Sequence, residues 1–138
     1  MRFELATPTR MLISADVEEV VAPGTEGYFG VWPGHAPFLT TLGSGEVCYK
    51  TGRDEQCLAV SGGFAEVTGE RVIILAESAE LPEEIDVARA QRAKQRAELR
   101  LSGKSPLSTP EDIDYTRAMA ALARAVARLM TAGRLSQH

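Results

Sequence analysis

The stretch VCYKTGRDEQCL (Val47–Leu58) decides the fold class of the first half of the chain. Two runs that contain Val, Cys, Tyr and Leu flank Gly52 and Arg53, and a two-residue loop that contains glycine is typical of a β-hairpin. With Gly52 and Arg53 as the loop, the strand pairing puts Cys48 opposite Cys57 on the same face. The stretch therefore predicts an antiparallel β-hairpin.

Cys48 and Cys57 are the two cysteines of the chain, too few for a disulfide scaffold and without the spacing of a metal site. We expect no metal site. Two interpretations of the pair stay open. The first, which we expect, is a pair of free thiols in a half-buried strand pair, and the second is a redox-sensitive pair.

The rest of the first half continues the β pattern. Short runs rich in Val, Ile and aromatic residues alternate with glycines and turn-forming pairs, which is typical of an all-β sandwich or barrel. The runs are ISADVEEVVAP (13–23), GEVCYKT (45–51), EQCLAVSGG (55–63), FAEVTG (64–69) and RVIILAE (71–77). No helical pattern follows the glycines of VSGGF (60–64), so they predict a strand bend or a close backbone approach and not a phosphate loop.

The stretch GYFGVWPGHAPF (27–38) places aromatic side chains among turn residues. It holds the single Trp of the chain and half of its Phe residues, although turns are usually polar because their backbone needs water. Either these rings fill the core of the sandwich or they anchor an interface with a partner. We expect Phe38 in the core and Tyr28 exposed, and the pattern leaves Trp32 open between the two.

The second half of the chain has the residue composition and the apolar spacing of α-helices. Neither Gly nor Pro occurs in 83–102 or in 111–132, and both segments are rich in strong helix formers. Thr109 and Pro110 are an N-cap and first-turn signal for the second helix. The face of the first helix that repeats at steps of three and four consists of Ala90, Ala93, Ala97 and Leu101. The prediction is an antiparallel helical hairpin, weakly held because alanine buries little apolar area.

Charge divides the chain in the same way, within a net charge of −4. Residues 1–81 carry twelve acidic and five basic side chains, whereas residues 82–138 carry seven acidic and ten basic ones. On the second helix, Arg117, Arg124 and Arg128 share a face, and no acidic residue follows the first turn to neutralise them. These arginines either lie in water or bind an anionic partner, such as an acidic protein surface or a phosphate.

Residues that could carry catalysis are scarce. The histidines are His35, beside Pro and Gly residues in the aromatic stretch, and His138 at the chain end. The sequence has no Gly-x-Ser-x-Gly, Walker, Cys-x-x-Cys or His-Glu-x-x-His motif. We expect a non-catalytic protein that requires no cofactor and binds no nucleic acid.

The sequence also carries no membrane or export signal. No apolar run approaches the ~18 residues of a membrane span, and MRFELATPTR (1–10) lacks the apolar core of a signal peptide. We therefore expect a cytoplasmic protein that reaches a membrane only through a partner.

Four stretches, taken in order, resemble the epsilon subunit of bacterial F-type ATP synthase. They are GTEGYFGVWPGHAPFLTTLGSGEV (24–47), LAVSGGFAEV (58–67), IDVARAQRAKQRAE (85–98) and DIDYTRAMAALARAVARL (112–129). The resemblance covers nearly the whole chain. It implies a β-sandwich of about ten strands in residues 1–84, followed by a two-helix regulatory domain in residues 85–138.

The resemblance implies a non-catalytic subunit of the central stalk, part of the rotor of a proton-translocating synthase at the cytoplasmic face of the bacterial plasma membrane. Its sandwich would bind the gamma subunit and rest on the c-ring, and its helices would contact the alpha and beta subunits. The residues expected to contact gamma and the c-ring are Tyr28, Phe29, Trp32 and His35. Many family members carry an acidic residue in place of Tyr28, and Glu26 is the nearest substitute here.

In the family that this chain resembles, the helical hairpin is a regulator. Folded against the sandwich it permits turnover, and extended along gamma it blocks ATP hydrolysis. The resemblance assigns the inhibitory contact with an acidic loop of beta to Arg117, Arg124 and Arg128.

Some members of that family also bind ATP between sandwich and hairpin through an Ile/Leu-Asp-x-x-Arg-Ala motif, which this chain matches at residues 85–90. The resemblance predicts that ATP, as a regulatory ligand, contacts Ile85, Asp86, Arg89, Ala90, Arg124 and Arg128. The alternative for the motif is a helix start in which Asp86 is the N-cap and Arg89 lies on the surface. The alternative for the whole chain is a free-standing nucleotide-sensing or adaptor module.

Overall fold

The structure is a computed structural model and describes residues 1–103 and 115–137. Within them, eight β-strands are followed by two α-helices. The strands are β1 (Arg2–Thr7), β2 (Arg10–Asp16), β3 (Glu19–Gly24), β4 (Gly27–Val31), β5 (Phe38–Thr41), β6 (Ser44–Thr51), β7 (Asp54–Val67) and β8 (Arg71–Glu80). The helices are α1 (Val87–Leu101) and α2 (Tyr115–Gly133), and 3₁₀ turns follow β8 and α2 at Pro82–Glu84 and Arg134–Gln137.

The strands form a sandwich around one apolar core. Seven of them are hydrogen-bonded in the order β2-β1-β8-β7-β6-β3-β4, and β5 pairs with β7. The pairs are antiparallel except β1–β8, which is parallel. Because side chains alternate between the faces of a strand, one face of each strand supplies the core, in which Phe3, Leu5, Leu58 and Ile74 are fully buried. The predicted all-β sandwich is confirmed.

The described residues contain eight strands where about ten were expected. Two runs that looked separate in the sequence, 55–63 and 64–69, are joined in the single long strand β7, which contains the first run and residues 64–67 of the second. This strand bends at Gly62 and Gly63, whose φ angles are +69° and +105°, a conformation that glycine adopts without strain. Before the bend β7 pairs with β6, and after it with β5. The predicted bend at VSGGF is confirmed.

The β6–β7 hairpin has the predicted register, with Thr51 opposite Asp54 and Cys48 opposite Cys57. The expectation of two free thiols is wrong, because the cysteines form a disulfide. Their Cα atoms lie 4.1 Å apart, nearer to the spacing of about 4.5 Å at a non-hydrogen-bonded antiparallel pair than to the about 5.5 Å at a hydrogen-bonded one. The pairing that the sequence predicts thus brings the two side chains together.

The helical hairpin is also confirmed. On α1 the residues that are not exposed are the predicted face, Ala90, Ala93, Ala97 and Leu101. Ala90 and Ala97 are buried, and so are Ala118 and Ala125 on α2, so each helix presents a pair of alanines seven residues apart. These small side chains let the two backbones approach closely. The predicted N-cap at Thr109 and Pro110 lies outside the described residues.

The hairpin lies against the sandwich through α2, which packs on β6 and β7. Ala127 and Thr131 are buried on this side of the helix. The turn that leads into α1 is fixed to β2, because both terminal nitrogens of Arg10 donate to the carboxylate of Glu84 at 2.8 Å. The junction between sandwich and hairpin therefore contains residues from both parts of the chain.

Candidate functional site

A cavity of about 380 Å³ opens at the junction between the last strand and the two helices. It is lined by Glu80, Glu84, Asp86, Arg89, Ala90, Ala93, Arg96, Ala121, Arg124 and Arg128. Five of the six residues predicted to contact a nucleotide are among these. The sixth, Ile85, is buried next to the site and does not line it.

The start of α1 shapes one wall of this cavity. Asp86 is the N-cap residue, and its Oδ1 accepts a hydrogen bond from the backbone N–H of Arg89 at 3.0 Å. A capping carboxylate satisfies one of the free N–H groups at a helix start and fixes the first turn. Ala90 follows, buried against the other helix. The cap predicted for Asp86 is therefore present, while Arg89 and Ala90 face the cavity.

The acidic residues of the cavity already have partners. Arg128 donates to the carboxylate of Glu80 at the end of β8. The hydrogen bonds from Arg10 hold the pKa of Glu84 below its ordinary value, with a further contribution from the backbone N–H of Leu81. The same contact raises the pKa of Arg10. Together with the cap at Asp86, these contacts neutralise or engage each carboxylate in the lining.

Among the residues that the structure describes, three arginines of the cavity have no such carboxylate. Within residues 1–103 and 115–137, no ion pair joins an acidic side chain to Arg89, Arg96 or Arg124. Guanidinium groups bind phosphate oxygens through charge-assisted, frequently bidentate hydrogen bonds. The surplus of positive charge suits the cavity to a polyanion, and it adds Arg96 to the residues predicted from the sequence. Arg96 lies seven residues after Arg89, a spacing that places both on one side of a helix. This spacing could have predicted Arg96 as a site residue from the sequence.

The arginine face predicted for α2 divides between two environments. Arg117 is exposed in the first turn, whereas Arg124 and Arg128 are half-buried at the junction. The two interpretations of these arginines, water or an anionic partner, did not include a partner within the chain, and Arg128 has one in Glu80 of β8. The partner, Glu80, is 48 residues away in the sequence.

A second polar cluster lies at the end of α2 and was not predicted. Glu46 on β6 is only 3% exposed. Its carboxylate accepts hydrogen bonds from Thr131 Oγ1 at 2.7 Å and from Arg134 Nε and Nη2 at 2.8 and 2.9 Å. Arg134 also reaches Glu55 at 3.5 Å, and its pKa is raised chiefly by the hydrogen bonds to Glu46. This cluster pins the end of the hairpin to the sandwich.

The aromatic stretch separates into core and surface. Phe29 and Phe38 pack on the core, with their rings edge to face at 5.2 Å. Tyr28 and Trp32 are 59% and 54% exposed, and the Tyr28 hydroxyl accepts a hydrogen bond from the backbone N–H of Glu46 at 3.0 Å. The ring of His35 lies 5.4 Å from that of Phe38. Of the four residues predicted to contact gamma and the c-ring, Tyr28 and Trp32 offer large exposed rings.

Two family models match consecutive parts of the chain. Residues 1–82 match the beta-sandwich domain of the ATP synthase Delta/Epsilon chain, and residues 83–133 match its long alpha-helix domain. The chain belongs to the ATP synthase Delta/Epsilon chain family. The resemblance found in the sequence is therefore confirmed.

Several curated relatives are named ATP synthase epsilon chain. The one from Koribacter versatilis is 50% identical over 104 residues, which cover 75% of this chain and 73% of the relative. The one from Nitratidesulfovibrio vulgaris strain DP4 is 49% identical over 102 residues, 74% of this chain and 76% of the relative. Together with the family match, these relatives identify the chain as a non-catalytic subunit of ATP synthase, of the epsilon type.

Two solved structures share the fold. A chain in the Euglena gracilis mitochondrial ATP synthase, solved as OSCP/F1/c-ring, superposes with a TM-score of 0.74 at 24% identity, over 99% of this chain and 80% of the other. A chain in the central stalk/c-ring of the Tetrahymena thermophila enzyme superposes with a TM-score of 0.53 at 13% identity, over 98% of this chain and 95% of the other. Neither described helix of this epsilon chain is long and apolar enough to cross a membrane.

Proposed function

We propose that this epsilon chain is a rotor subunit of the central stalk in a proton-translocating F-type ATP synthase, and that its helical hairpin inhibits ATP hydrolysis under the control of bound ATP. The sandwich couples rotation of the c-ring to the catalytic head through the gamma subunit. The chain lies, as part of the complex, at the cytoplasmic face of the bacterial plasma membrane. Family membership and the arginine-lined cavity support this proposal.

The observation that carries the regulatory part is the composition of the cavity. Its walls come from β8, α1 and α2, so the cavity exists only while the hairpin is folded against the sandwich. A ligand that binds one of two conformations shifts the population toward that conformation by its differential affinity. The phosphates of ATP would lie near Arg89, Arg96 and Arg124 and would thereby stabilise the folded hairpin.

The extended, inhibitory state would use part of the same charge. Arg128 is engaged by Glu80 in the folded state, and release of the hairpin would free it together with Arg124. Both arginines, together with Arg117 from the first turn of α2, would then contact an acidic loop of the beta subunit. The helices would also contact the alpha subunit. The two states thus compete for Arg124 and Arg128.

The sandwich supplies the contacts with the rest of the rotor. The exposed rings of Tyr28 and Trp32 offer large apolar area of the kind that anchors protein interfaces. We assign the contact with gamma and the c-ring to this region, which also includes Phe29 and His35, whose rings both pack against Phe38. Co-purification with gamma tests this assignment, and a chain that fails to bind gamma would be a free-standing module.

Calorimetric titration of the isolated chain with ATP tests the nucleotide site. Arg89→Ala should weaken ATP binding at least about tenfold, because a charge-assisted hydrogen bond contributes about 1.5–3 kcal/mol. Arg92→Ala is the matched control: Arg92 is an exposed arginine of the same helix and does not line the cavity. Absence of ATP binding up to millimolar concentration, or equal affinities of the two variants, would reject the site.

A further inference from the structure

The disulfide between Cys48 and Cys57 lies on the outer face of the β6–β7 hairpin, the face that α2 covers. Side chains alternate along a strand, so Glu46 shares this face with Cys48, while Val47 points into the core. On β7, Glu55 shares the face with Cys57. Residue 46 precedes one cysteine by two positions and residue 55 precedes the other, so the two carboxylates lie on opposite sides of the disulfide.

Arg134 spans the disulfide from above. Its guanidinium donates twice to Glu46 on one strand and lies 3.5 Å from Glu55 on the other. A carboxylate oxygen of Glu46 and the sulfurs of Cys48 and Cys57 all lie within 4.8 Å of one another. The carboxylate that holds Thr131 and Arg134 is therefore a direct neighbour of the disulfide.

We propose that this disulfide is a redox-labile latch: it is a site of thiol–disulfide exchange with a dithiol reductant, and its state controls how firmly the end of α2 is held on the sandwich. The regulatory meaning of the latch rests on the function proposed above. On the cytoplasmic side, disulfides are rare and those that occur are usually transient or redox-sensing. A pair at this position suits such a role because its neighbours belong to the element that would move.

The exchange reaction balances without another reactant. A thiolate of the dithiol attacks Sγ of Cys48, the less buried of the two cysteines, and the bond between the two protein sulfurs breaks. Cys57 leaves as a thiolate and takes up a proton. The second thiol of the reductant then attacks the mixed disulfide and releases Cys48, so the protein gains two thiols and the reductant becomes a disulfide.

Reduction would loosen the helical hairpin because two thiols occupy more space than a disulfide. Bonded sulfurs lie about 2.05 Å apart, and the sulfurs of two thiols cannot remain at that distance. Because the site is packed beneath α2 and Cys57 is buried, the separating sulfurs must displace a neighbour, and close-packed interiors transmit such shifts. The nearest polar neighbour is Glu46, whose displacement would weaken its hydrogen bonds to Thr131 and Arg134.

The test is amide hydrogen exchange of the full chain, without nucleotide, after mild oxidation and after reduction by dithiothreitol. Thiol titration should find no thiols in the oxidised protein and two in the reduced one. Exchange of residues 115–133 should become about tenfold faster on reduction, as expected when a buried charge-assisted hydrogen bond is lost. Two thiols that persist after oxidation, or equal exchange of α2 in the two states, would overturn the proposal.

Two variants separate the latch from general effects of the reductant. The double variant Cys48→Ser/Cys57→Ser should exchange at one rate in both conditions, and a response to dithiothreitol in it would reject the latch. Glu46→Gln leaves the disulfide in place and weakens the hold on Arg134, so its α2 should exchange fast even when oxidised. If oxidised Glu46→Gln exchanged as slowly as the unmodified chain, Glu46 would not link the disulfide to the helix and the proposal would fail.

Hydrogen exchange, taken together with the calorimetric titration of ATP, distinguishes failure of the latch from failure of the nucleotide site. Arg89→Ala, which removes the proposed phosphate contact, should keep the full redox response. A chain that binds no ATP but shows the response would reject ATP sensing alone. A chain that binds ATP but shows no response would reject the latch alone.

Discussion

Arg128 of α2 donates a hydrogen bond to Glu80, the last residue of β8, and so joins the second helix to the final strand of the sandwich. Both side chains are about one third exposed, at 35% and 31%. A partly exposed ion pair contributes only about 0–1 kcal/mol to stability. This contact therefore sets the position of α2 on the sandwich but adds little to the stability of its docking. The pair lines the same cavity as Arg89 and Arg124, so the charge of Glu80 would oppose an anion in the proposed nucleotide site.

Replacement of Glu80 by glutamine should increase the affinity for ATP. The change removes a negative charge from the cavity and leaves Arg128 available to a phosphate, and we expect about fivefold tighter binding, equivalent to about 1 kcal/mol. Calorimetric titration measures this. Glu77→Gln, the same change at an exposed position of the same strand, should leave the affinity unaltered. Weaker binding by Glu80→Gln would show that its hold on α2 outweighs its repulsion of the ligand.

Replacement of Arg96 by alanine should weaken ATP binding about tenfold, because a guanidinium–phosphate contact is charge-assisted. The sequence motif does not include this residue, so its effect tests the cavity and not the resemblance. Titration at two salt concentrations should also show a smaller salt dependence than in the unmodified chain. An affinity equal to that of the Arg92→Ala control would exclude Arg96 from the site.

Replacement of Thr131 by valine should loosen the end of α2. Thr131 is fully buried and donates to the buried carboxylate of Glu46, so the change leaves that carboxylate with one donor fewer at nearly constant volume. We expect a loss of about 1–2 kcal/mol in the stability of the docked helix, measured by hydrogen exchange of α2. Thr116→Val, at an exposed position in the first turn of the same helix, is the control. Unchanged exchange in Thr131→Val would mean that Arg134 alone satisfies Glu46.

The local parts of this structure could be predicted from the sequence, and the distant contacts could not. Loop length fixes the register of a hairpin, so Cys48 opposite Cys57 followed from Gly52 and Arg53. The register could not decide between thiols and a disulfide, because both fit the same pairing. The ion pair of Arg128 with Glu80 and that of Arg134 with Glu46 join residues 48 and 88 positions apart, and no local period encodes such a contact.

The contact between Arg10 and Glu84 should make the junction sensitive to acid. The hydrogen bonds from Arg10 lower the pKa of Glu84 in the folded state from its ordinary value of 4.5. A group with a depressed folded pKa contributes stability that is present above the unfolded pKa and is lost as the pH falls through the folded one. Arg10→Gln should therefore lower the melting temperature slightly at about pH 6 and by less at about pH 3. An equal difference between the two proteins at both pH values would show that Arg10 acts by packing and not by charge.

Replacement of Gly63 by alanine should destabilise the sandwich at the bend of β7. At this position φ is +105° and an added Cβ would overlap the carbonyl oxygen of Leu75 and lie 2.8 Å from Cα of Ala76. Both the backbone conformation and the close approach of β8 oppose a side chain, so we expect a loss of about 3 kcal/mol in the free energy of unfolding, measured with urea. Gly43→Ala is the matched control, because an added Cβ there meets no atom within 4 Å, and it should change the stability by less than about 1 kcal/mol. Equal stabilities of the two variants would mean that β7 and β8 can separate at the bend without cost.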